Sequence, residues 1–205
     1  MIFENMKFEK EIGEIYRLKT PIDGGELYTS VFLIKRENAN VLVDCATTDE
    51  DVNEYIVPAL AEKGLKLQDI NCLIITHDHG DHAGGKTRIL EIHPNLKIVS
   101  GLQEFSLNGI TVYELKGHTS DFIGVFDSQT NTLISGDGLQ GAGVGKYRCH
   151  TPYKEEYLKT LEKIKQDKKV ANLLFSHEYE PWYKDKVFGR EQVEKVLEDC
   201  KLYVK

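Results

Sequence analysis

The sequence has little of what marks several protein classes. Its 205 residues include four cysteines, none in a CxxC pair, and five prolines. Such widely spaced cysteines argue against a zinc ribbon or a disulfide framework, so we expect reduced and mostly buried thiols. The longest apolar runs are strand-sized, and the first ten residues are charged without an apolar core. These features predict neither a membrane span nor a signal peptide, and we expect a cytoplasmic protein.

A basic surface is also missing. The chain has 26 lysines and arginines against 33 aspartates and glutamates, a net charge of -7, and no basic cluster. Nucleic acid and other polyanions are therefore disfavoured as partners. With 40% hydrophobic and 29% charged residues, the composition is that of a globular protein. The length suits one core, so we predict a single domain over residues 1–205.

The hydrophobic patterns predict an α/β protein. Strands are predicted at 14–18, 28–36, 41–44, 72–77, 96–100, 104–117 (two strands around an Asn-Gly turn), 122–127, 132–137 and 171–177. Helices are predicted at 49–64, 85–93, 153–166 and 190–203. Each half of the chain thus holds several mainly antiparallel strands followed by helix-containing segments. This order fits an αββα sandwich, in which two mixed sheets carry helices on their outer faces.

The densest group of metal-binding side chains is the segment HDHGDH, which runs from His77 to His82. His77 and His79 are two residues apart, so in an extended segment they point the same way and can bind one cation. A turn into the following helix would let Asp81 and His82 face a second cation. We expect Asp78 to point away from the histidines. A chance match to this pattern is rare, so the segment is a strong metal-binding signal.

Polar residues also end five of the predicted apolar strands: Asp44, His77, His118, Asp137 and His177. Ligands in layered α/β proteins gather at strand ends, so we expect these side chains to converge at one edge. In the presence of the histidine-rich segment, the last three are predicted metal ligands. We expect Asp44 to support a ligand rather than bind metal itself, with an ordinary turn aspartate as the alternative.

Together these residues resemble the five motifs of the metallo-β-lactamase superfamily. In chain order the matches are Asp44, His77-x-His79-x-Asp81-His82, Gly117-His118-Thr119, Ser135-Gly136-Asp137 and Ser176-His177. The resemblance implies that His77, His79 and His118 hold one metal, that Asp81, His82 and His177 hold a second, and that Asp137 bridges both. The implied ions are two divalent metals, zinc first, with iron or manganese as alternatives.

The segment after the fourth motif is similar to that of glyoxalase II, the hydroxyacylglutathione hydrolase. That likeness implies that Lys146 and Tyr147 bind a substrate carboxylate; a solvated lysine beside a packing tyrosine is the alternative. His150 and Tyr153 are candidate lid or substrate residues, with a plain loop role as the alternative. An aspartate at 137, where the zinc β-lactamases have cysteine, argues against antibiotic hydrolysis. The chain continues only 28 residues beyond His177, so we do not expect the glutathione-binding helical domain of glyoxalase II.

We therefore predict a dinuclear metal-dependent hydrolase of a small-molecule thioester, ester or lactone. Two cations about 3.5–4 Å apart would lower the pKa of the water between them towards about 7, which gives a metal-bridging hydroxide as nucleophile. Asp81 and Asp137 are the predicted catalytic residues, Asp81 because it can orient that hydroxide and Asp137 because it bridges the ions. One alternative is a persulfide dioxygenase-like enzyme with one iron held by His79, His118 and Asp137. A phosphodiesterase is a further alternative.

Overall fold

The structure is a computed structural model, and it describes residues 6–22, 25, 27–140, 151–178 and 184–204. The chain divides into two compact units, Met1–Ser100 and Gly101–Lys205. Each unit contains one six-stranded sheet among its described residues. The expectation of a single domain over residues 1–205 stays a prediction.

The sheet of the first unit is mixed. It begins with four antiparallel strands, β1 (Glu9–Ile12), β2 (Ile15–Ile22), β3 (Leu27–Arg36) and β4 (Ala39–Val43). Two parallel strands follow, β5 (Cys72–Ile75) against β4 and β6 (Lys97–Ser100) against β5. The strand order in space is the same as the order along the chain. The antiparallel pairing predicted for the early strands is confirmed.

The helical segments of the first unit connect the parallel strands. They are α1 (Asp49–Asp51), a π-helical turn (Val52–Ile56), α2 (Val57–Glu62), a 3₁₀ turn (Leu67–Asp69), α3 (Gly80–Ala83) and α4 (Lys86–Ile92). Thr48 caps α1, because its side chain accepts a hydrogen bond from the N–H of Asp51. Residues 49–62 are helical throughout, and Pro58, which has no N–H to donate, lies just after the π-helical turn. Val52, Ile56 and Leu60 belong to one buried cluster with Leu33, Leu42 and Leu73 of the sheet.

The second unit also has a mixed sheet. Its strands are β7 (Ser106–Leu107), β8 (Ile110–Glu114), β9 (Ile123–Asp127), β10 (Thr132–Gly136), β11 (Asn172–Phe175) and β12 (Lys186–Phe188), and its helices are α5 (Lys154–Gln166) and α6 (Arg190–Val204). Among these strands, β10 and β11 pair in parallel and the other pairs are antiparallel. The predicted turn between β7 and β8 is confirmed, since Asn108 and Gly109 have φ angles of 47° and 84°.

Both helices of the second unit pack in its core. Tyr157, Leu161 and Ile164 of α5 share a buried cluster with Val193, Leu197 and Cys200 of α6 and with Leu173 and Phe175 of β11. The two helices contact each other, and α6 also contacts β11 and β12. Among the residues with described positions, no helix is long and apolar enough to cross a membrane. The predicted α/β architecture with two mixed sheets is confirmed.

Candidate metal centre

In the first unit, the predicted site residues follow two neighbouring parallel strands. Asp44 comes directly after β4, and Thr76 and His77 come directly after β5. Parallel strands end at the same edge of a sheet, and here the N–H of Asp44 bonds to the carbonyl of Ile74 at 2.8 Å. Asp44 has a φ of 62°, a left-handed conformation that aspartate tolerates better than most residues. The chain therefore turns sharply at the point where the carboxylate is needed.

The Asp44 carboxylate lies at the centre of a buried hydrogen-bond network. Its Oδ1 accepts the N–H of Thr76 at 2.8 Å, and its Oδ2 accepts the hydroxyl of Thr76 at 2.9 Å. Oδ2 also lies 2.8 Å from Nδ1 of His82. All three residues are at most 1% exposed. Asp44 thus holds the His82 ring from the side opposite its Nε2, which is the position expected of a carboxylate that supports a metal ligand.

The four predicted ligands of the first unit lie close together. His79 is extended (φ -80°, ψ 150°) and precedes α3, which carries Asp81 and His82. The His77 ring centre lies 4.4 Å from that of His79 and 4.3 Å from that of His82. The Asp81 carboxylate lies 3.3 Å from Nε2 of His82. Asp78 is exposed, in agreement with the expectation that it points away from the histidines.

Two glycines let the ligand segment approach the loop after β4. A Cβ atom on Gly84 would lie 1.8 Å from the carbonyl oxygen of Thr47, and one on Gly85 would lie 2.3 Å from that of Cys45. The carbonyl of His82 accepts two hydrogen bonds from Cys45, from its N–H at 2.8 Å and from its thiol at 3.3 Å. His82 is therefore fixed through its backbone as well as through its ring.

In the second unit, His118, Asp137 and His177 form a buried group. Nε2 of His177 lies 3.0 Å from Oδ1 of Asp137, and Nε2 of His118 lies 3.8 Å from Oδ2 of the same residue. The exposed fractions are 7% for His118, 8% for Asp137 and 4% for His177. Each histidine presents a ring nitrogen to one of the two carboxylate oxygens.

Local structure explains how these three residues meet. Asp137 follows β10 and His177 lies two residues beyond β11, the parallel pair of this sheet. The loop before His118 packs closely against Tyr157 of α5. Gly117 in this loop has a φ of 145°, and a Cβ atom at this position would lie 2.4 Å from the Tyr157 ring, so a larger residue would not fit. The His118 ring also packs edge-on against Phe122, with ring centres 5.7 Å apart.

The donor set of both groups suits a transition metal. Imidazole nitrogens and carboxylate oxygens are the usual ligands of zinc, iron and manganese in proteins. Within the first unit, the ligand atoms of Asp81 and His82 lie within 4.8 Å of each other; within the second unit, so do those of Asp137 and His177. The residues present therefore fit divalent metal ions.

The candidate substrate residues are placed only in part. Lys146, Tyr147 and His150 lie outside the described residues, and so does Cys149. Tyr153 is 42% exposed at the start of α5, and its N–H bonds to the carbonyl of Gly117 at 3.3 Å. The backbone of Tyr153 therefore helps to hold the loop that precedes His118.

Sequence reasoning assigned no role to Thr76 or Cys45, which both contact the predicted ligands. Thr76 bonds to Asp44, and its hydroxyl lies 3.1 Å from Nδ1 of His77. A signal was present, because Thr76 follows β5 as Asp44 follows β4. Parallel pairing of these two strands places the two residues side by side, but the sequence pattern alone does not reveal that pairing.

One family model matches part of the chain, and several curated proteins are similar to it in sequence. The sequence model of the Metallo-beta-lactamase superfamily matches residues 24–110. A hydroxyacylglutathione hydrolase of Synechococcus sp. is 30% identical over 153 residues, which cover 65% of this chain and 58% of that protein. An atrochrysone carboxyl ACP thioesterase of Pseudocercospora fijiensis is 25% identical over 130 residues, which cover 56% of this chain and 38% of that protein. The chain thus spans about two fifths to three fifths of the length of these curated relatives.

A solved metallo-beta-lactamase from Hirschia baltica has a similar fold. Its TM-score is 0.72 at 21% identity, and the match covers 96% of this chain and 98% of that one. By fold, the protein is an α/β protein of two mixed sheets with histidines and aspartates at the strand ends. Residues 24–110 match the model of the Metallo-beta-lactamase superfamily, and the resemblance indicated by the motifs is confirmed.

Proposed function

We propose that the chain is a metal-dependent hydrolase that cleaves a thioester, ester or lactone bond in a small molecule. The observation that carries this proposal is the burial of imidazole and carboxylate groups at the ends of a parallel strand pair in each unit. The relatives support it, because one is named a hydroxyacylglutathione hydrolase and another a thioesterase. A cytoplasmic location, expected from the sequence, is part of the same proposal.

The proposed centre holds two divalent ions, zinc first and iron or manganese as alternatives. His77, His79 and His118 would hold one ion; Asp81, His82 and His177 would hold the other, with Asp137 shared. When bound, such a pair of ions polarises a substrate carbonyl and lowers the pKa of water, so that hydrolysis proceeds near neutral pH. Asp44 supports this assignment, since its bond to Nδ1 of His82 leaves Nε2 as the ligating nitrogen.

The three carboxylates of the proposed centre have different surroundings. The side chains of Asp44 and Asp137 are 1% and 11% exposed, and each bonds to or faces histidine rings. The Asp81 side chain is 28% exposed. Asp81 is therefore the carboxylate that solvent reaches, and we assign to it the orientation of the attacking water and the acceptance of its proton. Asp137 holds the ring of His177 and shares in metal binding.

Substitution of Asp81 tests this assignment. Asp81→Ala should lower kcat about 10²–10⁴-fold, because a positioned base contributes that much, while most of the metal stays bound. Asp78→Ala is the matched control, since this exposed aspartate lies three residues away and should leave kcat unchanged. The assay is a panel of thioesters, lactones, carboxylic esters and phosphodiesters, with metal content measured in the same preparations.

Two results would overturn the proposal. One is an Asp81→Ala variant with full metal and unchanged turnover, which removes the assigned role of Asp81. The other is a wild-type protein that holds one iron per chain, hydrolyses no member of the panel and consumes oxygen with a persulfide. That result would favour the dioxygenase-like alternative, for which His79, His118 and Asp137 would suffice.

Lys146, Tyr147 and His150 complete the proposal as substrate-binding residues. Lys146 follows Gly141, Gly143 and Gly145 in the sequence and would meet a carboxylate remote from the reacting carbonyl. A point charge of this kind contributes mainly to binding, so Lys146→Ala should raise KM for anionic substrates and leave kcat and neutral substrates little changed. Equal losses for neutral and anionic substrates would contradict this role.

A further inference from the structure

Four residues of the first unit form one chain of hydrogen bonds. His82 Nδ1 lies 2.8 Å from Asp44 Oδ2, which also accepts the Thr76 hydroxyl at 2.9 Å, and that hydroxyl lies 3.1 Å from Nδ1 of His77. All four side chains are buried, with exposed fractions of 4% or less. In such surroundings each polar hydrogen needs a defined acceptor, because an unpaired group is costly.

The donors in this chain can be counted. The backbone N–H of Thr76 can only donate, so Asp44 Oδ1 is an acceptor. An ionised carboxylate carries no hydrogen, so Oδ2 must accept both from the Thr76 hydroxyl and from His82 Nδ1. A hydroxyl has one hydrogen, and that of Thr76 is directed to Asp44. The contact between Thr76 Oγ1 and His77 Nδ1 is then a hydrogen bond only if the imidazole donates it.

We propose that Thr76 is a positioning residue whose hydroxyl transmits the influence of Asp44 to His77, so that one buried carboxylate fixes the same tautomer in two histidines. His82 is fixed directly, and His77 is fixed through the hydroxyl. Both rings then carry hydrogen on Nδ1, which follows from the hydrogen-bond count with Asp44 ionised. The lone pair on Nε2 of His82, which lies 3.3 Å from the Asp81 carboxylate, and the use of both rings in metal binding rest on the proposed function.

Threonine suits this role for two reasons. Its hydroxyl both donates and accepts, which the relay requires, and its branched Cβ restricts χ1, so the hydroxyl stays aimed between Asp44 and His77. Two substitutions separate the relay from simple packing. Thr76→Val keeps the shape and loses the hydroxyl, whereas Thr76→Ser keeps the hydroxyl and loses a methyl group.

Nitrogen NMR of the histidine rings tests the relay in the metal-free protein. The probe is the long-range coupling between ring nitrogens and ring protons in ¹⁵N-labelled protein, at a pH where the imidazoles are neutral. We expect Nδ1–H at His77 in the wild type and in Thr76→Ser. In Thr76→Val we expect His77 to become a mixture of tautomers or to change to Nε2–H, while His82 keeps Nδ1–H through Asp44.

The wild-type spectrum decides the matter even if a variant fails to fold. An Nε2–H tautomer at His77 in the wild type would overturn the proposal, as would an unchanged His77 tautomer in folded Thr76→Val.

Zinc titration of the same proteins separates the relay from the proposed function. Loss of such a supporting contact weakens metal binding by about 10–100-fold, so Thr76→Val should bind zinc that much less tightly and Thr76→Ser nearly as tightly as the wild type. A relay seen by NMR in a protein that binds no zinc would contradict the metal centre and leave the relay intact.

Discussion

Cys72 shows how burial of one side chain makes stability depend on pH. The thiol is buried in β5, and this burial raises its pKa to about 11 from the usual 9.0. Between these values the unfolded thiol loses its proton and the native thiol keeps it. The native state then binds more protons than the unfolded state, so the free energy of unfolding falls as the pH rises from about 9 to about 11.

We predict that Cys72→Ala loses part of this alkaline slope. The measurement is urea unfolding at several pH values between 8 and 11, with the wild type and the variant compared at each pH. A shift of one pKa unit corresponds to about 1.4 kcal/mol, so the difference between the two curves should change by about 2–3 kcal/mol across the range. Parallel curves would show that the native thiol ionises as readily as the unfolded one.

The sequence allows the chemical type of a candidate ligand to be predicted, but not the hydrogen bonds that the residue makes in the fold. His118 and Asp137 were predicted as metal ligands because each ends an apolar strand in a chain that also carries the histidine-rich segment, and this role stays a prediction. Thr76 could not be recognised in this way, because threonine is common in strands and its hydroxyl gains a role only when β4 and β5 pair in parallel. The role of Thr76 depends on strand register, which the pattern of one segment does not contain.

Among the secondary structure elements, the α3 helix depends on a glycine that permits close backbone contact. A Cβ atom on Gly84 would lie 1.8 Å from the Thr47 carbonyl oxygen, whereas one on Gly80 has nothing within 4 Å. We therefore expect Gly84→Ala to destabilise the protein by about 3 kcal/mol or more, since backbone on both sides must move. Gly80→Ala is the matched control and should change stability by less than about 1 kcal/mol. Thermal and urea unfolding measure both, and equal stability of the two variants would show that the backbone contact adapts.

The side chain of Arg190, the first residue of α6, contacts the backbone at the C-terminal end of α5. Nη2 of Arg190 donates to the carbonyl oxygen of Lys165 at 2.6 Å, and the two hydrogens of Nη1 are shared among the carbonyl oxygens of Ile164, Asp167 and Val170 at 3.0–3.1 Å. Its planar guanidinium supplies these donors at once, which a lysine ammonium cannot do. Arg190→Lys should therefore destabilise the protein by about 1.5–3 kcal/mol, the range for hydrogen bonds to a charged group.

Arg88→Lys is the control for this prediction. Arg88 lies on α4, is 37% exposed in its side chain and pairs with Glu91 at the surface. Surface ion pairs contribute about 0–1 kcal/mol, so this change should be nearly neutral in urea unfolding. An equally small change in the free energy of unfolding for Arg190→Lys and Arg88→Lys would contradict this prediction. It would show that water replaces the guanidinium at the carbonyl groups of α5 without loss of stability.

The elements missing from the sequence prediction share physical features. Strands β1 and β12 lie at sheet edges and are four and three residues long, so they bury little and show no clear alternation. Helix α3 has four residues, fewer than two turns, so no helical periodicity can appear in it. The longer helices α5 and α6 were predicted to within one residue of their ends, because their apolar residues repeat over several turns.

At the scale of the whole molecule, the order of elements was enough to predict two sheets. Each half of the chain repeats the same pattern of strands followed by helix-containing segments, and each half forms one six-stranded sheet among the described residues. The pairing within the sheets was harder to predict. Strands β10 and β11 are parallel across the long connection that includes α5, and only tertiary packing decides which strands such a connection brings together.

Metal binding should change the stability of the whole native state. If two zinc ions bind the native state and not the unfolded chain, zinc at about 100 times the Kd of each site should stabilise the fold by about 2.7 kcal/mol per site, or about 5.4 kcal/mol for both. For a chain of this size, that corresponds to a rise in Tm of about 11–22 °C over the chelated protein. Elemental analysis should give close to two ions per chain in the wild type, and fewer in Asp137→Asn, with Asp78→Asn as the control that keeps both. A wild-type protein that binds at most one ion after exposure to zinc, iron and manganese would contradict the dinuclear assignment. A Tm that zinc does not change would show that the proposed ligands bind no zinc in the native state, whatever their arrangement.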